Sequence, residues 1–502
     1  MDCRPNIIFI MSDDHAANAI SAYGSRINKT PNIDRLALEG ARLDHCYVTN
    51  SICTPSRATI LTGTHTHING VTTLVTHLDN RLPNVAKHLQ RTGYQTAIVG
   101  KWHLGEGEKH EPTGFNYWSV VPGQGRYYNP EFIEKDGTKV EQGYVTDITT
   151  DKSIAWLENR DEERPFFLMC HHKAPHRPWD PKKEHRELYT EDFPEPETFN
   201  DDYTHRAKAA KEAKMRISED LSYRDIDLIN PDDLEEMSKE WSNSFLVPPE
   251  NLEDYTLKCA ITGKEYSFKS QEELKRFKYN RYIRKYVQTI HSIDENVGRL
   301  LDWLDEKGLS ENTLVIYTSD QGFYLGEHGW YDKRFIYEES FQMPFLVRYP
   351  KEIPAGSVCK DMVSNVDFAP SFLDYAATTI PNYMQGRSVR EVLKGNAPSD
   401  WTDLAYHRYW MNNDSIHHAR AHYGIRTHDY KLIYWYYDDL EQPGARPDTL
   451  EPEWELFDLA NDPLEINNVV DNSEYSEIVA EMTKKLESEM DRIGDVPVHP
   501  LS

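Results

Sequence analysis

Residues 6–15 read NIIFIMSDDH: an unbroken apolar run, Ile7 to Met11, that passes straight into Ser12, Asp13, Asp14 and His15. An apolar run of this length without alternation is what a parallel strand buried on both faces requires. The carboxylates at its end are what such a strand presents at the carboxyl rim, where open α/β sheets bind their ligands. The same design recurs along the chain. Thr96 to Val99 runs into Gly100-Lys101-Trp102-His103, and Phe166 to Cys170 runs into His171-His172-Lys173-Ala174-Pro175-His176. Leu314 to Tyr317 runs into Thr318-Ser319-Asp320-Gln321-Gly322. Helical segments alternate with these strands. One follows Thr30-Pro31, with a threonine N-cap, proline at the first position and a stop at Gly40. Another opens at Pro83 and carries Val85 and Leu89 on one face. The longest, from about Tyr282 to Lys307, places Ile283, Val287, Ile290, Ile293, Val297, Leu301 and Leu304 at helical spacing. Alternating strands and helices predict an α/β fold whose parallel sheet brings all four polar clusters to one rim.

The chain of 502 residues is long for one compact unit, which favours a large α/β core with a smaller second domain. A net charge of −27 argues against a nucleic-acid binder or a partner of anionic membranes. It leaves room for an anionic substrate, since a local cationic pocket can sit on an acidic surface. Cys3, Cys46, Cys53, Cys170, Cys259 and Cys359 are scattered, which suggests neither a zinc motif nor a disulfide framework. The first apolar run is too short for a signal-peptide core, and no run is long enough to span a bilayer. A cytoplasmic location is therefore expected, or a periplasmic or secreted one if a signal has been trimmed.

Residues 50–71, NSICTPSRATILTGTHTHINGV, give the rim its chemistry. Pro55 suits the first turn of a helix. Cys53 then lies beside exposed backbone N–H groups and the positive end of the helix dipole, a natural place for an anion, and Arg57 adds a guanidinium one turn on. A lone cysteine is usually a small buried hydrophobe. The Cys-x-Pro-x-Arg spacing continuing into Ala-Thr-Ile-Leu-Thr-Gly is a far more specific signal, and it resembles the type I sulfatases of the alkaline-phosphatase superfamily.

The resemblance implies a catalytic domain over residues 1–399 with a large mixed, mostly parallel sheet sandwiched by helices. It also implies a smaller C-terminal α+β subdomain over 400–502. There, Tyr430 to Tyr437 and Leu456 to Leu459 read as antiparallel strands, and Ile478, Met482, Leu486 and Met490 line one face of a closing helix. Residues 188–278, rich in charge and poor in apolar side chains, read as an inserted excursion of helices and loops, either a lid or a solvated segment without a role in catalysis.

For the site, the resemblance implies that Cys53 is oxidised to formylglycine by a maturation enzyme. Asp13, Asp14, Asp320 and Gln321 would then hold a divalent cation together with residue 53. Three carboxylates and an amide make a hard-oxygen set suited to calcium, with magnesium as the alternative. Many members of the family carry asparagine where Gln321 stands. Lys101 and Lys333 match the sulfate-binding lysines, and His103 and His176 match the proton-transfer histidines. With Arg57, these cations would neutralise a charge that otherwise repels nucleophiles. The implied chemistry is in-line attack on sulfur by a hydroxyl of the formylglycine hydrate. His176 would assist departure of the alcohol, and His103 would take the proton whose loss lets sulfate leave.

The substrate is expected to be a sulfated carbohydrate. LGEHGWYDKRFIYEES and HRYWMNNDSIHHARAHYGIRTHDYKLI resemble bacterial carbohydrate sulfatases that act on ulvan-type sulfated rhamnose or on N-acetylglucosamine 6-sulfate. Candidate contacts are Arg177 and Trp179, His328, and the cluster His407-Arg408, His417-His418, Arg420 and His422. The alternative for Trp179 is that it packs an interface. Two further classes stay open: a phosphonate monoester or phosphodiester hydrolase of the same superfamily, and a non-catalytic relative that binds sulfated glycans.

Overall fold

The computed structural model describes residues 4–229 and 248–501. Strand Asn6–Ser12, buried along its whole length, lies inside a ten-stranded sheet of these residues. Thr313–Ser319 and Phe166–His171 flank it, both parallel, and Gln95–Lys101 and Tyr117–Val121 extend the parallel set. Ser12 pairs in register with Ser319, and His171 with both Met11 and Gly100. The four polar clusters therefore leave the sheet at one level, as the strand endings predict. Gly100 is needed for that convergence. Its φ is +100°, and a Cβ there would lie 1.9 Å from the carbonyl oxygen of His171. The sheet is mixed at its margins, where Phe345–Arg348 and Glu131–Glu134 run antiparallel to their inner neighbours.

Alternation along the first strand sorts its side chains into two cores. Ile7, Phe9 and Met11 join one cluster, in which Phe9 meets Phe368 and Phe372 edge to face. Ile8 and Ile10 join the other, against Ile283, Val287 and Ile290 of the long helix. That helix runs Gln271–Glu306, starting well before the periodic apolar positions begin. Its extra turns start at Ser270, whose side chain accepts the Glu273 N–H as an N-cap, and they bury Leu274, Lys278 and Tyr279.

Ala405–Tyr409, His422–Arg426, Tyr430–Trp435 and Glu453–Asp458 form a second, four-stranded antiparallel sheet. Helix Ser476–Ile493 closes one of its faces with Met482, Leu486, Met490 and Ile493. Burial of each such side chain contributes about 1.5–3 kcal/mol.

The 188–278 excursion corrects its sequence reading in two ways, on the residues described; 230–247 lie outside them. It contains a three-stranded sheet of Leu228–Ile229, Thr256–Cys259 and Glu265–Ser267. It is also no solvated loop, because Leu221, Tyr223, Ile226, Leu228 and Leu257 are fully buried in the core beside the long helix. Its apolar residues are few, but most of the described ones face inward, which average composition hides. Cys46, Cys53, Cys170, Cys259 and Cys359 are free thiols.

Candidate active site

The rim carries a closed cluster of buried charge. Asp13, Asp14 and Asp320 can each bring an oxygen within 4.8 Å of the others, and Asp13, Cys53 and His176 form a second such group. Helix Cys53–Thr62 starts at the cysteine and is buried throughout. Cys53 Sγ lies 3.4 Å from Asp13 Oδ1, and burial pushes its thiol well above the usual range. Pro55 occupies the first turn of this helix, and Gly63 ends it in the left-handed conformation.

Arg57 is committed to Asp320. Its Nε and NH2 donate to Asp320 Oδ2 at 3.0 and 2.8 Å, while NH1 reaches the Lys101 carbonyl. Lys101 pairs with Asp13 and Gln124, and Lys333 lies 2.7 Å from Asp14 Oδ1. At Asp13 the cost of burial is outweighed by the cations around it, Lys101 first, which hold the carboxyl well below its usual range. At Asp14 burial prevails over Lys333 and, with the neighbouring carboxylates adding to the rise, lifts it to about 7. Burial and Asp13 lift Asp320 to about 6.

The donor set fits a divalent cation on an observation of its own. Gln321 Nε2 donates to Asp14, whereas Gln321 Oε1 is buried with no hydrogen-bond partner. A buried acceptor without a donor, beside three carboxylates of which two resist ionisation, is a hard-oxygen set matched to a cation.

The histidines line different cavities, His176 the one that holds Cys53 and His103 a neighbouring one beside Thr54 and Trp102. His176 Nδ1 lies 2.5 Å from the Arg177 carbonyl, which can only accept, so that nitrogen carries the proton and Nε2 faces Asp14 Oδ2 at 3.7 Å. Burial keeps both His176 and His103 well below the usual imidazole range. His103 Nδ1 lies 3.4 Å from Thr54 Oγ1. Asp14, His103, Asp332 and Arg334 all have positive φ, so backbone strain concentrates around this cluster.

Above the cluster opens a cavity of about 620 Å³ with Cys53, His176 and Lys333 in its lining. Its wall is a network the sequence reading largely missed. Asp332 binds Arg334 and lies 3.3 Å from His417 Nε2 and 3.6 Å from Arg177 Nε. Arg177 reaches Asp225 of the 188–278 excursion at 3.3 Å. Lys173 and Arg224 also line the cavity, and burial lowers Lys173 to about 7. The signal for Asp332 and Arg334 was within reach, since they flank Lys333 in the quoted DKR.

Of the expected substrate contacts, Arg177 lines the cavity, and so does His417 from the C-terminal histidine cluster. The others do not. Trp179 is buried, donates to the Pro175 carbonyl and packs on Tyr282 of the long helix, inside the large core and not at an interface with the second sheet. His328 is enclosed by Asp201, Glu339, Trp330 and Tyr337. His407 holds the Ser51 backbone N–H at 3.0 Å and stacks on His422, which packs on Trp435. Arg408 pairs with Asp495 and lies over Trp410. These side chains belong to strand faces or cores, where burial and mutual pairing account for them. His418 is half-buried and outside the lining.

Residues 5–378 match the family model described as Sulfatase, and 326–492 match that of the N-sulphoglucosamine sulphohydrolase C-terminal region. An N-acetylglucosamine-6-O-sulfatase of Bacteroides thetaiotaomicron is 44% identical over 98% of this chain and 87% of the relative. A solved structure described as in complex with its substrate, D-glucosamine-2-N,6-O-disulfate, superposes with a TM-score of 0.87 at 42% identity, covering 98% of both chains. The phosphonate monoester hydrolase of Agrobacterium radiobacter shares the fold, with a TM-score of 0.70 at 20% identity over 98% of this chain and 96% of its own.

Proposed function

The chain belongs to the sulfatase family, and from that premise we propose that it removes a 6-O-sulfate from a glucosamine-type sugar, N-acetylated or N-sulfated. The observation that carries the reading is the join of two surfaces. Cys53, His176 and Lys333 line the floor of the cavity and contact the fully buried aspartate cluster behind them, and the Arg177–Asp332–Arg334–His417 network forms its wall. A sulfate ester offers an anion to the floor and a ring of hydroxyl groups to the wall.

Asp13, Asp14, Asp320 and Gln321 would hold a divalent cation, calcium by ligand type. The cation would supply positive charge, and residue 53, once matured to formylglycine by a partner enzyme, a hydroxyl nucleophile. The other residues act in ways their contacts define. Lys101 and Lys333, paired with Asp13 and Asp14, would offer ammonium groups to the sulfate oxygens as they gain charge. Arg57 fixes Asp320 by two donors and keeps its orientation. His176, with Nδ1 tied to Arg177, aims Nε2 into the site and, when protonated there, gives the leaving alcohol its proton. His103, kept neutral by burial, would accept the proton whose loss releases sulfate. At the wall, paired Asp332 and Arg334 offer an acceptor and a donor side by side, a grip suited to vicinal hydroxyls.

The test is sulfate release by protein co-expressed with a maturation enzyme, after peptide mass has verified conversion of Cys53. Substrates would be N-acetylglucosamine 6-sulfate, the 2-N,6-O-disulfate, a sulfated rhamnose, a phosphonate monoester and a phosphodiester. Turnover of the 6-sulfated glucosamines above the rest is expected. Preference for rhamnose sulfate would overturn the sugar assignment, and preference for a phosphorus ester would overturn the sulfatase chemistry.

A further inference from the structure

A second group of metal-ligating side chains lies outside this site. His185 ends a short 3₁₀ turn, Lys183–His185, and His291 and Glu295 lie one turn apart on the long helix Gln271–Glu306. The three can bring ligand atoms within 4.8 Å of one another. Glu295 Oε1 is 3.2 Å from His185 Nε2 and 3.7 Å from His291 Nε2. Ligands of a tetrahedral zinc ion, at bonds of about 2.0–2.1 Å, lie about 3.3 Å apart, so small side-chain adjustments suffice.

The surroundings favour the same reading. His185 Nδ1 lies 3.0 Å from Ser292 Oγ, which can take its proton and leave Nε2 as the ligating nitrogen. Lys182, the nearby cation, sits against the other oxygen of Glu295, 3.2 Å from Oε2, and its charge is met by Asp147 at 3.0 Å. Oε1 is thereby left to the imidazoles. His185 is buried while His291 and Glu295 are part-exposed, so an ion has access from solvent.

We propose that His185, His291 and Glu295 form a zinc site, with solvent in the fourth position. Two imidazoles and one carboxylate select zinc over calcium, which takes oxygen ligands. The site's consequence is mechanical. It ties the long helix to the segment that leaves the active-site loop, since His176, Arg177 and Asp180 of the cavity lining lie just upstream of His185. An occupied site therefore anchors the downstream end of the loop that carries the proposed proton donor.

The experiment uses the full-length Cys53→Ser chain, which removes the thiol that Asp13 and His176 could share with a metal, in excess calcium to fill the carboxylate site. Cobalt(II) is titrated as a probe by its visible absorption and then displaced with zinc. One ion per chain is expected, with affinity falling at least about tenfold in His291→Ala and in Glu295→Gln. Both positions are part-exposed, and circular-dichroism melting checks that each variant folds. Failure to take up cobalt or zinc, or unchanged affinity in both folded variants, would overturn the site and reduce the trio to an ordinary imidazole–carboxylate ion pair. Neither outcome depends on sulfatase activity.

Discussion

The floor and the wall of the cavity are built by different means. Every floor residue lies at a strand tip or in the segment just beyond it, or in the first turns of the Cys53 helix, or in the DKR loop. The wall is assembled from regions far apart in sequence. Asp225 comes from the excursion, Arg177 from the loop after Phe166–His171, Asp332 and Arg334 from around Lys333, and His417 from beside the second sheet. In the proposed reading the floor supplies the chemistry common to sulfate esters, whereas the wall selects the sugar. Loss of a floor residue should therefore lower kcat on all substrates alike, and loss of a wall residue should act on one substrate and not another.

The largest effects belong to the floor. Cys53→Ala should abolish turnover of every sulfate ester while a divalent cation still binds, as read by calorimetry. Lys333→Ala should cost about 10²–10³ in kcat, the range for one preorganised charge-stabilising donor. That loss should be equal for a sulfated sugar and a small aryl sulfate. A loss confined to the sugar would move Lys333 from floor to wall.

Next comes the wall. Asp332→Asn should lower kcat/KM on a 6-sulfated glucosamine by about 10–100-fold, the equivalent of about 1.5–3 kcal/mol for a hydrogen bond to a charged group. A small aryl sulfate, which has no hydroxyls to present, should be turned over nearly as before. Equal losses on both substrates would show that Asp332 serves the floor by orienting Lys333.

The floor also has a pH signature that the wall lacks. Asp14 and Asp320, raised to about 7 and about 6, keep protons in the cation-free fold that unfolded carboxylates would already have lost. Their protonated forms add stability to that fold at low pH, and this is lost as pH rises through those values. A cation needs both groups ionised. Its affinity should fall as pH drops from 8 to 6, by up to about tenfold per pH unit for each proton displaced. The rise in Tm on adding calcium should shrink in parallel. A Tm increment independent of pH over this range would mean that these carboxylates are already ionised without the cation.

The same division explains what could be read from the sequence. Asp13, Asp14, Lys101, His176 and Asp320 follow apolar runs that pair in parallel, so finding the strands brought these clusters to one rim, while the resemblance to the sulfatases singled out the individual residues together with Cys53, Arg57 and Lys333. The wall required knowing which loops meet. His328, His407 and His422 resemble Arg177 in chemistry, but burial and pairing set them in cores, and no local pattern marks that difference. The 188–278 excursion was misjudged for a related reason: its buried side chains lie in short elements such as Thr256–Cys259, too brief for a period to stand out among the charged residues around them.

The sharpest test of that lesson has the smallest effect. His417 and His418 are adjacent and chemically identical in sequence, yet only His417 lines the cavity, where it lies 3.3 Å from Asp332 and 3.4 Å from Asp414. His418 has a left-handed backbone, φ 49°, which displaces its side chain from the direction its neighbour takes. His417→Ala should cost roughly fivefold in kcat/KM on the sulfated sugar, about one ordinary net hydrogen bond. It should leave a small aryl sulfate unaffected. His418→Ala should leave both substrates unchanged and alter stability by no more than about 1 kcal/mol, as at a half-buried position outside the cavity. If the two variants behave alike, the wall does not end at His417, and the division between a general floor and a sugar-specific wall loses its C-terminal boundary.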